Sequence, residues 1–264
     1  MHETLPALVA RALTDNPRPL EYYLREQSHL PGPRANLGLV GEVSDELASY
    51  ALRCPQDVWE VLHYLVRDAP QVETNTPGEF VVLCGTVALG ACASTNEGWR
   101  DVAFERLAQL ARNSAWRVRE GAAMGFQRML AIAPEATVVY LLVLASEGDC
   151  LQQRACIAAV AEPFLLQTNE MKEAALAIQS RIVLRFRDIP LDERRRDDVR
   201  ILRQALAYTL SVVAAAYPEQ GFALLRECAS WGDADITWVI RENLKKKRLA
   251  KFTEQAAHLS KLLA

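Results

Sequence analysis

The sequence predicts an all-α protein, a right-handed α–α superhelix in which two-helix hairpins stack as a solenoid. Three observations predict it. Apolar residues recur at the helical period along most of the chain, while the alternation expected of strands is nearly absent. Pro, Gly, Asn and Asp punctuate the ends of the periodic runs. The second helix of successive pairs carries an arginine near its start, at Arg119, Arg154, Arg203 and Arg241. A repeat of about 35 to 40 residues with two helices per unit is the mark of an array in which each hairpin buries its apolar face only against its neighbours.

Taken in order, residues 1–54 read as an irregular helical segment that does not fit the repeat, with Leu30-Pro31-Gly32-Pro33-Arg34-Ala35-Asn36-Leu37 its least regular part. Pro55 to Asp68 and Glu79 to Cys92 read as a first hairpin. Residues 97 to 112 form an amphipathic helix with Val102, Ala103, Phe104, Leu107 and Leu110 on its apolar stripe. After Asn113-Ser114 a second helix follows, with Val118, Ala122, Gly125, Phe126 and Met129 on one face. Pro134 opens a helix to about Ser146, Gly148-Asp149 breaks it, and residues 150 to 166 form its partner. Asn169 is expected to cap a helix to about Phe186. The charged stretch 187–197 reads as an inserted loop, which lengthens the spacing from Arg154 to Arg203. Residues 198 to 216 pair with the preceding helix, Pro218 to Trp231 and residues 235 to 250 make the next hairpin, and a capping helix fills 253–264. The expected organisation is one α-solenoid domain over 1–264, with the hairpins spanning 55–252.

Composition narrows the function classes. The chain has 264 residues, 50% apolar and 24% charged, and a net charge of −3, which does not describe a body covered by a phosphate-binding field. The average hides a gradient. Residues 1 to 150 carry 12 Arg and no Lys against 19 acidic groups, whereas residues 151 to 264 carry 18 basic against 14 acidic. Two ends of opposite charge can meet different partners, or can carry solvated charge without using it. The six cysteines lack any C-x-x-C pair and read as reduced thiols in a cytoplasmic protein, with Cys84 and Cys92, inside one apolar run, acting as small core hydrophobes. Met1 to Pro6 lacks the pattern of a secretory signal, and the uncharged run Phe80 to Asn96 reads as a buried helix rather than a membrane span. No H-E-x-x-H, G-x-S-x-G, P-loop or dinucleotide fingerprint occurs, so no cofactor, metal ligand or catalytic residue is assigned.

The segments WRVREGAAMGF and DADITWVIRENL resemble HEAT repeats, in which the second helix opens on an aromatic or aliphatic residue, then Val-Arg, then small residues. The resemblance covers residues 97 to 252. Together with LPGPRANL and the closing WVIRENLKKKRL, the chain resembles a bacterial HEAT-repeat family without an assigned activity. In HEAT arrays a turn Asp and a helix Arg commonly pair between neighbouring repeats. The resemblance therefore implies a structural ladder of Arg119, Arg154, Arg203 and Arg241 with the turn residues Asn113, Asp149, Asp198 and Asp235.

Two further constellations carry chemistry. Arg241, Lys245, Lys246, Lys247, Arg248 and Lys251 form the densest basic cluster, and on a continuous helix Arg241, Lys245 and Arg248 would share one face and Lys247 and Lys251 another. Such a band is a candidate contact for nucleic acid or an anionic partner, or else a solubilising face on a terminal repeat. The run Arg194-Arg195-Arg196, diluted by neighbouring carboxylates, reads as a solvated loop. Trp116 with Glu120, and Trp238 with Glu242, stand four residues apart. A HEAT-like DNA glycosylase family of the alkylpurine type uses tryptophans and a carboxylate to cradle a cationic base, although its acid is Asp where this chain has Glu. The function expected is a non-catalytic scaffold binding another macromolecule, protein before nucleic acid, with no membrane role. The alternative is a DNA-binding or alkylpurine glycosylase-like repair protein.

Overall fold

The structure, a computed structural model, describes residues 3–263. Among the described residues it is all-α, with fourteen α-helices joined by short turns and no strand. The contacts fall into two compact units, Met1–Pro134 and Glu135–Ala264.

The first unit contains α1 (Leu5–Thr14), α2 (Arg18–Glu26), α3 (Leu37–Tyr50), α4 (Pro55–Val66), α5 (Pro77–Thr95), α6 (Arg100–Leu110) and α7 (Trp116–Ile132). The segment expected to be irregular thus holds three helices, and residues 27–36 between α2 and α3 are its longest non-helical stretch. Helix α5 is the hub, packing on α2, α3, α4, α6 and α7. Its apolar residues lie all round, as a helix buried on every side requires. Two glycines make this possible. A Cβ on Gly85 would lie 2.7 Å from Leu65 of α4, and one on Gly90 would lie 2.3 Å from the Gly125 carbonyl oxygen of α7. Side chains there would force the helices apart. The α6 stripe holds for Ala103, Phe104, Leu107 and Leu110, but Val102 faces solvent because it stands on the arc of Asp101 and Glu105.

The second unit contains α8 (Pro134–Glu147), α9 (Cys150–Val160), α10 (Asn169–Arg187), α11 (Asp197–Ala216), α12 (Pro218–Ala229), α13 (Ala234–Leu244) and α14 (Thr253–Leu262). Here α11 is the hub, against α9, α10, α12 and α13. Buried amides lock it in place. Asn243 of α13 donates to the Leu206 carbonyl at 2.9 Å and accepts from the Ser211 N–H at 2.8 Å, and Gln179 of α10 donates to the Thr209 carbonyl at 3.0 Å. Each such bond satisfies a group that would otherwise be buried and unpaired.

Several boundaries differ from the sequence expectation. Helix α9 stops at Val160 rather than 166, since Pro163 disfavours helical backbone before it. Thr168, not Asn169, caps α10, its hydroxyl accepting from the Met171 N–H. Helix α12 ends at Ala229, and Gly232 turns the chain at a φ of 67°, where glycine meets no steric cost. Helix α13 ends at Leu244, well short of residue 250, and Lys247–Leu249 form a separate 3₁₀ turn.

By length and composition alone α5 and α11 could cross a membrane, yet they are the packed centres of their units, 89% and 56% buried over their most apolar windows. The cysteines are unbridged. Burial pushes the thiols of Cys92 and Cys228 up to about 12, and burial with the nearby Asp198 carboxylate pushes Cys150 to about 11. At neutral pH these sulfurs are protonated and poor nucleophiles.

Candidate functional site

The most constrained polar construction in the first unit surrounds Glu79, in the first turn of α5, with its side chain fully buried. Thr76 caps that helix and Pro77 opens it, so Glu79 sits where the helix dipole favours a carboxylate. Four donors saturate it. Thr74 Oγ1 donates to Oε1 at 3.1 Å, the Asn75 N–H to Oε2 at 2.8 Å, the Arg117 N–H to Oε1 at 3.2 Å, and Arg117 Nη1 to Oε2 at 3.0 Å. Arg117, second residue of α7 and also buried, spends its other nitrogen on the Gly32 carbonyl at 2.9 Å. Asn75, in the left-handed region that Asn tolerates, returns a side-chain acceptor to the Gly32 N–H at 3.0 Å.

Gly32 is therefore held by both of its backbone polar groups, and it must be glycine: a Cβ there would stand 2.6 Å from the His29 carbonyl oxygen. The rest of the loop closes on itself through Ser28, whose hydroxyl donates to the Arg25 carbonyl and accepts from the Leu30 N–H, and through Asn36, which donates to the Gln27 carbonyl. Pro33, Arg34 and Ala35 are in this way fixed beside the start of α7. Between them lies a cavity of about 280 Å³, floored by Leu83 and walled by Leu37, Trp116 and Glu120. Trp116 is 47% exposed, with the Arg117 guanidinium 4.4 Å from its ring centre.

The structure thus brings together LPGPRANL and the pair Trp116 and Glu120, which the sequence presents as unrelated. Sequence reasoning missed Glu79, Arg117 and Gly32. A Thr-x-x-Glu spacing at Thr76 and Glu79 ahead of an apolar run was the available signal, being that of a helix start. A larger groove of about 420 Å³ runs beside Leu52, Ala91 and Ile132 of the same unit, but its charged groups Arg128 and Asp45 are spent on each other at 2.6 Å.

The other expected residues are distributed as follows. Arg203 of α11 pairs with Asp235 at the start of α13 and stacks 4.7 Å from the centre of the Trp238 ring. Arg119 donates to the carbonyls of Asn113 and Ser114 in its own turn, and Asn113 reaches the Ala69 carbonyl at 2.6 Å. Asp149 caps α9 in a capping box with Gln152, Arg154 lies half-buried on α9, and Asp198 accepts from Arg196. Arg241 meets the Leu263 carbonyl rather than a turn carboxylate. Arg194 is a correction: its side chain is buried, donating to Asp233, Asp235 and the carbonyls of Arg187 and Ile189.

The shared cationic faces are also corrected, because α13 ends at Leu244 and the cluster does not continue along one helix. Lys245 pairs with Glu242, Arg248 donates to the Tyr208 hydroxyl at 2.7 Å and stacks on its ring, Lys246 flanks that ring, and Lys251 lies over Phe252. Trp238 and Glu242 are accordingly occupied by Arg203 and Lys245. Among the described residues no three His, Cys, Asp or Glu side chains gather as a metal site requires. In comparisons with known proteins, no family model matches the chain and no curated protein matches it.

Proposed function

We propose that this protein is a HEAT-like helical scaffold that binds another protein without catalysing a reaction, and that the Trp116 cavity is its docking point. The observation that carries the reading is a half-exposed tryptophan beside an exposed Leu37, around a cavity whose rim is pinned by a buried, hydrogen-bonded ion pair. Interfaces concentrate their energy in such aromatic anchors and adjacent pockets. A rim already ordered also lowers the cost of binding. The HEAT-like stacking of hairpins, which the proposed right-handed solenoid requires, is supported within each unit by the order of contacts. Second helices follow one another as α3, α5 and α7, and as α9, α11 and α13, while α4, α6, α10 and α12 pack alongside.

Affinity capture from an extract of the native host, followed by a nuclease wash of the loaded bait, tests it. The reading expects a protein retained by the wild-type chain and lost on Trp116→Ala; a bait that retains only nucleic acid, released by nuclease, contradicts it.

A glycosylase-like repair protein is the second reading, favoured by Trp116 and Glu120 lining one cavity. Against it stand the guanidinium groups of Arg34 and Arg117 on the same cavity, which repel the cationic base such chemistry holds. Release of a methylated base from alkylated duplex DNA, abolished by Glu120→Gln, would overturn the scaffold reading.

A further inference from the structure

We propose that the Trp116 cavity takes one large apolar side chain from an acidic peptide segment, with Arg34 as the cation that receives the neighbouring carboxylate. The inference rests on the protein-binding reading above and names the chemistry of the partner.

Size gives the first constraint. Small-molecule sites run from roughly 300 to 1,000 Å³, and this cavity, at about 280 Å³, lies just under that range. It suits a single aromatic or branched side chain rather than a cofactor or nucleotide. The lining gives the second. Leu83, Leu37, Trp116 and Pro33 present apolar surface, and an apolar guest loses nothing by leaving water there.

Charge gives the third. Of the cations on the cavity, Arg117 is committed to Glu79 and the Gly32 carbonyl. Arg34 is exposed and makes no ion pair or hydrogen bond within the described residues, so its planar fork is open to a carboxylate. It stands two residues from Gly32, whose N–H and carbonyl are both bound, so its backbone is ordered before any guest arrives. The excess of carboxylates over residues 1–150 opposes an acidic guest at long range. At physiological ionic strength that field is screened beyond about 8 Å; Glu120, the carboxylate on the lining itself, already has a partner within the protein, which leaves the Arg34 guanidinium to set the local preference.

The test follows the Trp116 indole N–H resonance of the full chain, assigned from the Trp116→Phe spectrum, during titration with three probes that share a phenylethyl group. These are N-acetyl-phenylalanine as its carboxylate, N-acetyl-phenylalanine amide, and phenethylamine as a cation. The expected order of affinity is acid, then amide, then amine, with the acid preferred over the amide about two- to fivefold, the range that a partly exposed ion pair supports. Arg34→Ala should make acid and amide equal while amide binding persists, and an unchanged circular dichroism spectrum verifies that the variant is folded. Preference for the amine, or no movement of the Trp116 resonance with any probe, overturns the proposal. A captured protein that does not depend on Trp116 would defeat this inference and the assigned docking point, and leave only the protein-scaffold reading standing. Probe binding in the expected order without any captured protein would do the reverse.

Discussion

Both units use arginine to tie a turn to the start of a second helix, but they do so in different surroundings. In the first, Glu79 and Arg117 are 0% and 5% exposed, both carboxylate oxygens are bonded and both terminal guanidinium nitrogens donate. In the second, Arg194 at 7% and Arg203 at 33% share Asp235, with Asp233 beside it. The sealed pair has no water to fall back on, whereas the shared cluster can redistribute its bonds when one member is lost. The tryptophans differ correspondingly. Trp238 is stacked by Arg203, which the cluster holds in place, while Trp116 borders a cavity because its arginine is drawn under the ring toward Glu79. Both rings carry a guanidinium and stay partly exposed, Trp238 at 36% and Trp116 at 47%, and Trp116 in addition lines a cavity.

The largest expected effect tests this contrast directly. Glu79→Gln or Arg117→Met should cost about 3–5 kcal/mol in urea unfolding, the usual result of stranding one member of a buried ion pair. Asp235→Asn should cost about 1–3 kcal/mol, since Asp233 still serves Arg194. Equal losses would erase the distinction between the two clamps. Next in size, Gly90→Ala should cost about 1–3 kcal/mol because α5 and α7 touch backbone to backbone there. Gly38→Ala, with only the Asn36 side chain 3.6 Å away, should be neutral or slightly stabilising.

Acid gives a smaller and reversible effect within the first unit. Burial alone would raise the Glu21 carboxyl, but hydrogen bonds from Tyr64, Arg25 and Arg67 outweigh it and hold the group below its ordinary value. A depressed carboxylate contributes stability that is fully present above its unfolded pKa, about 4.3, and is lost as the pH falls through the folded one. Tyr64→Phe should flatten the decline in melting temperature below that point, and an identical decline would remove Glu21 from the account. The smallest effect belongs to the second unit. Reversing the charge of Lys245, Lys246 and Lys247 together should change stability by no more than about 1 kcal/mol, these being surface positions with few bonds. A salt-dependent shift of duplex DNA by the wild-type chain, abolished by that reversal, would reopen the nucleic-acid reading.

How much was legible in the sequence follows from the range of the forces involved. Helix starts at Pro55, Pro134 and Pro218 and the break at Gly232 could be read because proline and glycine act on their own backbone. The early end of α13 could not, since its last turn is set by Asn243 bonding to α11 across 32 residues of chain. Nor could the site. In Trp116-Arg117-Val118-Arg119 the two arginines look alike, and the sequence reading placed the structural weight on Arg119. The helix turns about 200° between them, which sends Arg117 inward to Glu79, 38 residues away, while Arg119 meets its own turn. Trp116 and Glu120 were visible as a pair because they are four residues apart on one helix. The loop that completes their cavity arrives from α2, and only the buried clamp shows why it stays.

The central claim is that Glu79 and Arg117 hold the loop at Gly32 and thereby keep the Trp116 cavity open. Hydrogen exchange at the Gly32 amide in Arg117→Met, compared with wild type under conditions where both give the same circular dichroism spectrum, tests it most directly. The account predicts that exchange at Gly32 accelerates at least tenfold and that the Trp116 indole ceases to respond to the acid probe. Unchanged protection at Gly32 together with an unchanged probe response would contradict it.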